Sequence, residues 1–214
     1  MDTKKLRILV ADDHSVMRNG IIKSISENFP DAEFGEAANA SEIMQQINCS
    51  RWDIVVLDIS MPGRNGMQVL KDIKDVEPAT KVIIFSMYPE DQFAIRALKA
   101  GASAYLTKDV TAKELGMAIQ KIKNGGTYLT NSIAELMTNE LRNDHAKPVH
   151  EILSDREHEV FLLIAGGKSV SVIGEELSLS VKTISVYRSN ILAKMNLKNN
   201  SEITHYAFKN NLVE

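Results

Sequence analysis

Five short apolar runs alternate with helical patterns across the first 125 residues of this 214-residue chain, and this alternation limits the possible folds. The runs lie at residues 7–11, 34–38, 54–57, 81–86 and 104–108. Apolar residues at helical spacing follow each run, and prolines or glycines end several segments. Ser41 is the predicted N-cap of the short helix after the second run. This alternation is typical of an α/β fold, and we predict a doubly wound, five-stranded parallel sheet with helices on both faces.

Polar side chains follow four of the five predicted strands. They are Asp12 and Asp13 after the first, Asp58 after the third, Ser86 at the end of the fourth and Lys108 at the end of the fifth. Right-handed crossovers bring the carboxyl ends of parallel strands to one edge, where ligands bind in such folds. Asp58 on its own fits a turn or a helix cap better, but the five groups together favour a functional cleft.

The residue types in this cleft indicate phosphate chemistry. Three carboxylates repel one another unless a cation lies among them, and Mg²⁺ prefers hard oxygen ligands and phosphate oxygens. An amine and a hydroxyl can stabilise a phosphoryl group. The chain contains neither G-x-x-x-x-G-K-[ST] nor G-x-G-x-x-G, so no nucleotide is indicated. We therefore predict a phosphoryl group carried on the carboxylate of Asp58, which acts as the nucleophile.

Residues 6–124 resemble the receiver domain of bacterial two-component response regulators, which has a flavodoxin-like fold. The matching residues are Asp12-Asp13, Asp58-x-x-Met61-Pro62-Gly63-x-x-Gly66, Ser86, Ala100-Gly101-Ala102, Tyr105 and Lys108. The resemblance implies that a sensor histidine kinase phosphorylates Asp58, with Lys108 and Ser86 assisting the transfer. The implied Mg²⁺ ligands are Asp12, Asp13, Asp58 and the backbone carbonyl of Ser60.

The resemblance also implies a switch pair, Ser86 and Tyr105. The hydroxyl would follow the new phosphoryl oxygen, and the ring would move inward behind it. Two alternatives remain open: Tyr105 could be an aromatic packed at an interface, and Ser86 could make an ordinary strand-end hydrogen bond. Asp109 follows Lys108 where many receivers carry proline, which leaves the pose of the lysine open.

Residues 127–150 are predicted to form a linker that carries a short helix, between a receiver domain at 1–126 and a second domain at 151–214. The helical spacing is that of Ile133, Leu136, Met137 and Leu141. We expect this helix to pack on one of the domains, with a dimer contact as the alternative. A polar, proline-ended loop at 143–148 follows, and we expect His145 and His150 to be solvated rather than metal ligands.

The second domain is predicted to consist of four short helices. The predicted N-caps are Ser154 (in a capping box with Glu157), Ser169, Ser180 and Ser201. A tight turn at 177–180 gives the second and third helices helix-turn-helix spacing. Residues 151–176 carry two cationic and six anionic side chains, whereas 177–214 carry five and two. So modest an excess of positive charge in 177–214 would alone fit a solvated surface, but the helix-turn-helix spacing favours contact with DNA phosphates.

Residues 152–212 resemble the LuxR/FixJ-type DNA-binding domain, also found in the NarL class. The matching residues are Leu153-Ser154-x-Arg156-Glu157-x-Glu159-Val160, Gly167-Lys168-Ser169, Ile173, Glu176-Leu177, Ser180-x-Lys182-Thr183-Ile184 and Asn190-Ile191-x-x-Lys194-Met195. Our candidate DNA-contacting residues are Lys182, Thr183, Ser185, Val186, Arg188, Ser189 and Lys194. Val172, Gly174 and Ser185 depart from the usual Glu, Ala and base-facing Lys, which leaves the base contacts open.

Composition excludes several classes of protein. The formal net charge of −3 excludes an overall basic surface, and the single Cys49 excludes an intramolecular disulfide, as in a reducing cytosol. Residues 1–5 show no signal-type pattern, and no apolar run approaches the roughly 18 residues needed to span a bilayer. We expect a cytoplasmic protein without a membrane partner.

These observations combine into one hypothesis and two alternatives. The hypothesis is a transcription regulator in which phosphorylation of Asp58 switches dimerisation and DNA binding; the protein would not be an enzyme beyond its own phosphoryl transfer and dephosphorylation. One alternative is a DNA-binding regulator whose receiver works only as a protein-interaction module. The other is a phosphatase with an aspartyl nucleophile, but Ser60 stands where such enzymes carry a second aspartate.

Overall fold

The structure of the chain, a computed structural model, describes residues 5–142 and 148–213. It divides into two compact units, Met1–Thr138 and Asn139–Glu214. The strands are Arg7–Ala11 (β1), Glu33–Ala37 (β2), Ile54–Leu57 (β3), Lys81–Ser86 (β4) and Ala104–Thr107 (β5). The helices are Ser15–Ser26 (α1), Ala40–Cys49 (α2), Gly66–Val76 (α3), Glu90–Lys99 (α4), Ala112–Lys123 (α5), Asn131–Arg142 (α6), Asp155–Ala165 (α7), Val170–Glu176 (α8), Val181–Met195 (α9) and Asn200–Lys209 (α10), with a 3-10 helix at Val149–Ile152.

The first unit is built around a five-stranded sheet with the order β2-β1-β3-β4-β5. Every neighbouring pair is parallel, which confirms the predicted α/β fold. The central strand β3 is buried along its whole length because helices cover both faces of the sheet. The order places β1 and β3 side by side in the middle, so the residues that follow these two strands are neighbours.

Side-chain caps define where several helices begin, and two of the predicted caps were wrong. The predicted cap of α2 was Ser41, but the side chain of Asn39 accepts the hydrogen bond from the backbone N–H of Glu42. The predicted cap of α10 was Ser201, but Asn199 performs this function. Asparagine and serine cap helices about equally well, so the choice between nearby candidates depends on where the chain turns.

The second unit contains the four predicted helices and the helix-turn-helix. Ser154 and Glu157 form the predicted capping box at the start of α7. The turn between α8 and α9 requires two special backbone positions. Ser178 has a φ of +52°, and a Cβ added to Gly174 would lie 2.8 Å from the carbonyl oxygen of Leu179. Glycine at position 174 therefore lets the turn close tightly against α8. This close approach accounts for a glycine inside a helix, where its helix propensity is low.

The start of α6 packs on the first unit. Thr130 precedes α6, and its hydroxyl donates a hydrogen bond to the carboxylate of Glu90 at 2.9 Å while accepting one from the N–H of Ile133 at 3.2 Å. The side chain of Ile133 is fully buried. The predicted linker at 127–150 remains a prediction, and residues 143–147, including His145, lie outside the described residues.

His150 was expected to be solvated, but its ring is half-buried. Its Nδ1 atom lies 3.1 Å from the hydroxyl of Tyr206 in α10.

Within the described residues, no helix combines the length and apolar character needed to cross a membrane.

Candidate functional site

The side chain of Lys108, which follows β5, joins two carboxylates at the carboxyl edge of the sheet. Its Nζ atom lies 2.6 Å from Oδ2 of Asp12 and 2.6 Å from Oδ2 of Asp58. Its side chain is only 6% exposed, and both aspartates are buried. Because one ammonium group contacts both carboxylates, the ends of β1, β3 and β5 are held together.

The second oxygen of each carboxylate is also bonded. Oδ1 of Asp12 accepts a hydrogen bond from the N–H of His14, and Oδ1 of Asp58 accepts one from the N–H of Ser60, both at 2.8 Å. The loop after Asp58 packs closely on α3: a Cβ added to Gly66 would lie 2.4 Å from the Cα atom of Ile59. The carboxylates are thus fixed by backbone groups as well as by Lys108.

Burial and pairing act in opposite directions on the ionisation of this site. Removal from water raises the pKa of the Asp58 carboxyl above its ordinary value, and the ammonium of Lys108 offsets only part of that shift. Burial also acts to lower the pKa of Lys108, but its two carboxylate partners outweigh burial and raise it. Lys108 therefore stays charged at neutral pH and supplies the positive charge that the acidic pair needs.

Asp13 and His14 lie beside Asp12. One ligand atom each from Asp12, Asp13 and His14 lies within 4.8 Å of the others, and His14 Nδ1 is 3.0 Å from the Asp13 carboxylate. Within the described residues, the buried hydroxyl of Ser60 has no hydrogen-bond partner. Clustered carboxylate oxygens suit a hard divalent cation, and the residue with the unsatisfied hydroxyl also bonds Asp58 through its N–H, so the residues present fit Mg²⁺.

Ser86 and Tyr105 both bond to the backbone of Tyr88. The Ser86 hydroxyl accepts a hydrogen bond from the N–H of Tyr88 at 3.1 Å, and the Tyr105 hydroxyl donates one to its carbonyl at 2.8 Å. Both side chains are fully buried, and burial raises the pKa of the Tyr105 phenol. The two predicted switch residues therefore hold one peptide segment, two residues before α4 begins at Glu90.

The predicted DNA-contacting residues lie on α9 and are mostly exposed. Lys182, Ser185, Val186 and Ser189 are exposed, with Val186 at 53%. The hydroxyls of Ser185 and Ser189 donate to the carbonyls of Val181 and Ser185 in their own helix, at 2.9 and 3.0 Å. Thr183 is half-buried, and its hydroxyl lies 2.7 Å from that of Ser180. The exposed residues of α9 thus include two lysines (Lys182 and Lys194), two valines (Val181 and Val186) and small polar residues.

Two predicted cations have partners inside the second unit. Arg188 Nε donates to Asn200 Oδ1 at 2.6 Å, and Lys194 Nζ lies 2.6 Å from Glu157 Oε2. Lys194 thus ties α9 to the capping box of α7. This pairing gives the lysine a structural function, and its contact with DNA remains a prediction.

Sequence reasoning missed His14 and the central position of Tyr88. His14 directly follows the acidic pair, so its sequence position was a usable signal. Tyr88 contributes backbone groups, which no residue pattern reveals. Ser60, by contrast, was expected to act through its carbonyl, and the structure adds the unsatisfied hydroxyl as a second feature.

Comparisons with known proteins agree with both halves of the chain. The family described as response regulator receiver domain matches residues 8–120, and the luxR family of bacterial regulatory proteins matches residues 151–207. Oxygen regulatory protein NreC of Staphylococcus epidermidis is 33% identical over 98% of this chain and all of that protein. The NreC protein of Staphylococcus carnosus is 32% identical over the same shares.

Solved structures with the same fold include the RcsB response regulator of Salmonella typhimurium, with a TM-score of 0.68 and 24% identity over 94% of this chain and 96% of that one. A LuxR-family two-component response regulator from Aurantimonas sp. has a TM-score of 0.59 and 33% identity, covering 65% of this chain and all of that one. The fold and the acidic site together define a receiver domain, joined here to a helix-turn-helix domain. The chain belongs to the two-component response regulators of the NarL/FixJ type, and it is a phosphorylation-dependent transcription regulator.

Replacing Glu157 by glutamine tests the link between α7 and α9. Burial acts to raise the pKa of Glu157, but hydrogen bonds from Lys194 and Ser154 outweigh burial and lower it below the ordinary 4.5. A lowered folded pKa stabilises the fold above pH 4.5, and this contribution disappears as the pH falls through the folded value. We expect Glu157→Gln to lose about 1–2 kcal/mol of unfolding free energy at pH 7.

The measurement is denaturant unfolding of the full chain at pH 7 and at pH 3–4, with Glu175→Gln, which changes an exposed glutamate of α8, as the control. The deficit of Glu157→Gln should shrink as the pH falls below 4.5, because the stabilisation from the ionised carboxylate is progressively lost over that range. A deficit that is equal at both pH values would assign the loss to packing instead of charge.

Proposed function

We propose that Asp58 is the phosphorylation site of this regulator and that a sensor histidine kinase supplies the phosphoryl group. The observation that carries this proposal is the buried pair of Asp12 and Asp58 held by Lys108, with Asp13 beside it. In the proposed transfer, a carboxylate oxygen of Asp58 forms a bond to phosphorus while the phosphorus–nitrogen bond of the donor histidine breaks, and the electron pair stays on the imidazole.

The proposed functions of the other groups follow from their positions. Asp12, Asp13, Asp58 and the Ser60 carbonyl would hold Mg²⁺, which supplies positive charge to phosphoryl oxygens when bound. Lys108 would move its ammonium from the Asp58 carboxylate to a phosphoryl oxygen and so stabilise the transferred group. Water attack on the acyl phosphate would later return Asp58 to its free state, which is the only hydrolysis we assign to the chain.

We propose that the switch acts through the segment held by Ser86 and Tyr105. A phosphoryl oxygen on Asp58 would take the Ser86 hydroxyl as its hydrogen-bond donor, at the expense of the contact with the Tyr88 N–H. The Tyr88 carbonyl and the Tyr105 hydroxyl would then rearrange, and α4 begins only two residues later. Glu90, in the first turn of α4, bonds Thr130 just before α6, so the rearrangement would reach the start of α6.

The proposed output is binding of double-stranded DNA by α9, with its exposed N-terminal residues in the major groove. Lys182, Thr183, Ser185, Val186, Arg188, Ser189 and Lys194 are the proposed contacts. RcsB, which shares the fold, has been solved as dimers bound to DNA, and we propose a homodimer for this chain when it is phosphorylated. A regulator of this kind acts where the chromosome is, so we assign it to the cytoplasm.

Sedimentation and genomic footprinting, each with and without acetyl phosphate and Mg²⁺, test this function. The phosphodonor should raise the dimer fraction of the wild-type protein and strengthen protection of particular fragments of its own genome. In Asp58→Asn the phosphodonor should change neither the dimer fraction nor the footprint, because the side-chain amide cannot accept the phosphoryl group. A phosphodonor response of the same size in Asp58→Asn would contradict the proposal.

A further inference from the structure

The side chain of Arg18, in the first turns of α1, makes two hydrogen bonds close to the acidic site. Its Nη1 atom donates to the backbone carbonyl of Asp12 at 2.8 Å, and its Nε atom donates to Oε2 of Glu36 at 2.9 Å. The side chain is 15% exposed, so its methylene groups are packed as well. Neither hydrogen bond goes to the carboxylates of Asp12 or Asp13, so Arg18 contacts the backbone of the site and not its ligand atoms.

With this bond, every polar group of Asp12 has a partner. Its N–H donates to the carbonyl of Ala37 at 3.2 Å, and its two carboxylate oxygens accept from His14 and Lys108. The carbonyl that Arg18 holds belongs to the planar peptide unit between Asp12 and Asp13. Fixing the direction of this carbonyl therefore also fixes the N–H of Asp13 and the position of the Cα atom that carries its side chain.

Asp13 needs such support because its own side chain has fewer contacts. Its side chain is 24% exposed, whereas that of Asp12 is almost fully buried. Its one ion-pair contact within the described residues is with the ring of His14, which is itself largely exposed. Orientation of Asp13 toward a shared ion therefore depends on the backbone that Arg18 holds.

The charge of Arg18 would have the opposite effect on a cation. A guanidinium group near the site repels Mg²⁺, although its pairing with Glu36 reduces this field. Positioning predicts that Mg²⁺ binds more weakly once Arg18 is lost, and charge repulsion predicts that it binds more tightly. The two effects therefore differ in sign.

We infer that Arg18 is a positioning residue for the metal site. It orients the peptide between Asp12 and Asp13 so that both carboxylates face one divalent cation. The inference rests on the proposed Mg²⁺ site. Replacing a residue that orients a metal ligand without binding the metal itself typically lowers metal affinity about tenfold or more.

Calorimetric titration of the full chain with Mg²⁺ tests the inference. Arg18→Met keeps much of the packed length but removes both hydrogen bonds, and we expect its Mg²⁺ affinity to fall about tenfold. Arg18→Lys can still donate to the Asp12 carbonyl and should recover part of the affinity. Glu36→Gln is the matched control, because it leaves the bond from Arg18 to Asp12 in place; its affinity should change less than about twofold.

The possible outcomes separate the inference from the function on which it rests. A wild-type chain that binds no Mg²⁺ would refute the proposed metal site itself. Wild-type binding with unchanged affinity in Arg18→Met, even if the thermal midpoint falls, would show a merely structural function and overturn the inference. Tighter binding would show that charge dominates and would overturn it as well. Should Arg18→Met fail to fold, full wild-type affinity in Arg18→Lys together with a loss in Glu36→Gln would also overturn it.

Discussion

The Asp58→Ala variant is expected to incorporate no phosphoryl group from labelled acetyl phosphate in the presence of Mg²⁺. Within the described residues, the Asp58 carboxylate is the only nucleophile at this edge of the sheet that contacts both Lys108 and the N–H of Ser60. Removing it leaves no carboxylate oxygen at this position to form the acyl phosphate. The measurement is label retained on the full chain, with its acid stability and alkali lability as a signature of an acyl phosphate.

The matched control is Asp31→Ala, which replaces an exposed aspartate between α1 and β2. This variant should label as the wild type does, and circular dichroism should show that both variants fold. Undiminished labelling of Asp58→Ala would refute the assignment. Absence of labelling in the wild-type chain would favour the alternative in which the receiver works only as an interaction module.

The affinity for DNA is expected to fall by about three orders of magnitude as monovalent salt rises from 50 to 200 mM. A dimer that places Lys182, Arg188 and Lys194 of each subunit near phosphates would neutralise about six of them, and each contact releases counterions. Of these cations, Lys182 is the one without a partner among the described residues, because Arg188 and Lys194 are hydrogen-bonded in the second unit. Titrations of a footprinted genomic fragment at several salt concentrations give the slope.

Lys182→Ala should weaken binding and make this slope shallower by about one unit per subunit. Lys23→Ala, which removes an exposed lysine of α1, is the control and should leave both quantities unchanged. A slope that is equal in the wild type and in Lys182→Ala would remove this lysine from the phosphate contacts. Binding that is independent of salt would refute a phosphate interface altogether.

Strand positions were predictable because a buried parallel strand needs a continuous apolar run. The run at 54–57 matches β3 residue for residue, and the polar residues after the strands meet because parallel strands share one carboxyl edge. The helix-turn-helix was predictable for a similar reason, since serine caps and apolar spacing are local signals. Helix starts were less certain: Asn39 and Asn199 lie two residues before the serines that the sequence suggested.

Contacts between side chains distant in the sequence could not be predicted. Lys194 looked like a DNA-binding lysine because it lies on the basic segment, yet it reaches Glu157, 37 residues away. The bond from Arg18 to the Asp12 carbonyl is invisible to a residue pattern because a backbone atom accepts it. The sequence thus indicates which groups gather at the site, and the structure shows how each is held.

The bridge made by Lys108 also has a consequence for biosynthesis. Its partners lie 96 and 50 positions earlier in the chain, so the last strand closes a contact with the first and the third. A nascent polypeptide that has not yet released β5 from the ribosome carries all three aspartates, but it leaves the buried pair without its cation. We therefore expect reactivity toward a phosphodonor to be acquired in a single late step, when the receiver is nearly fully synthesised, and incomplete chains not to react.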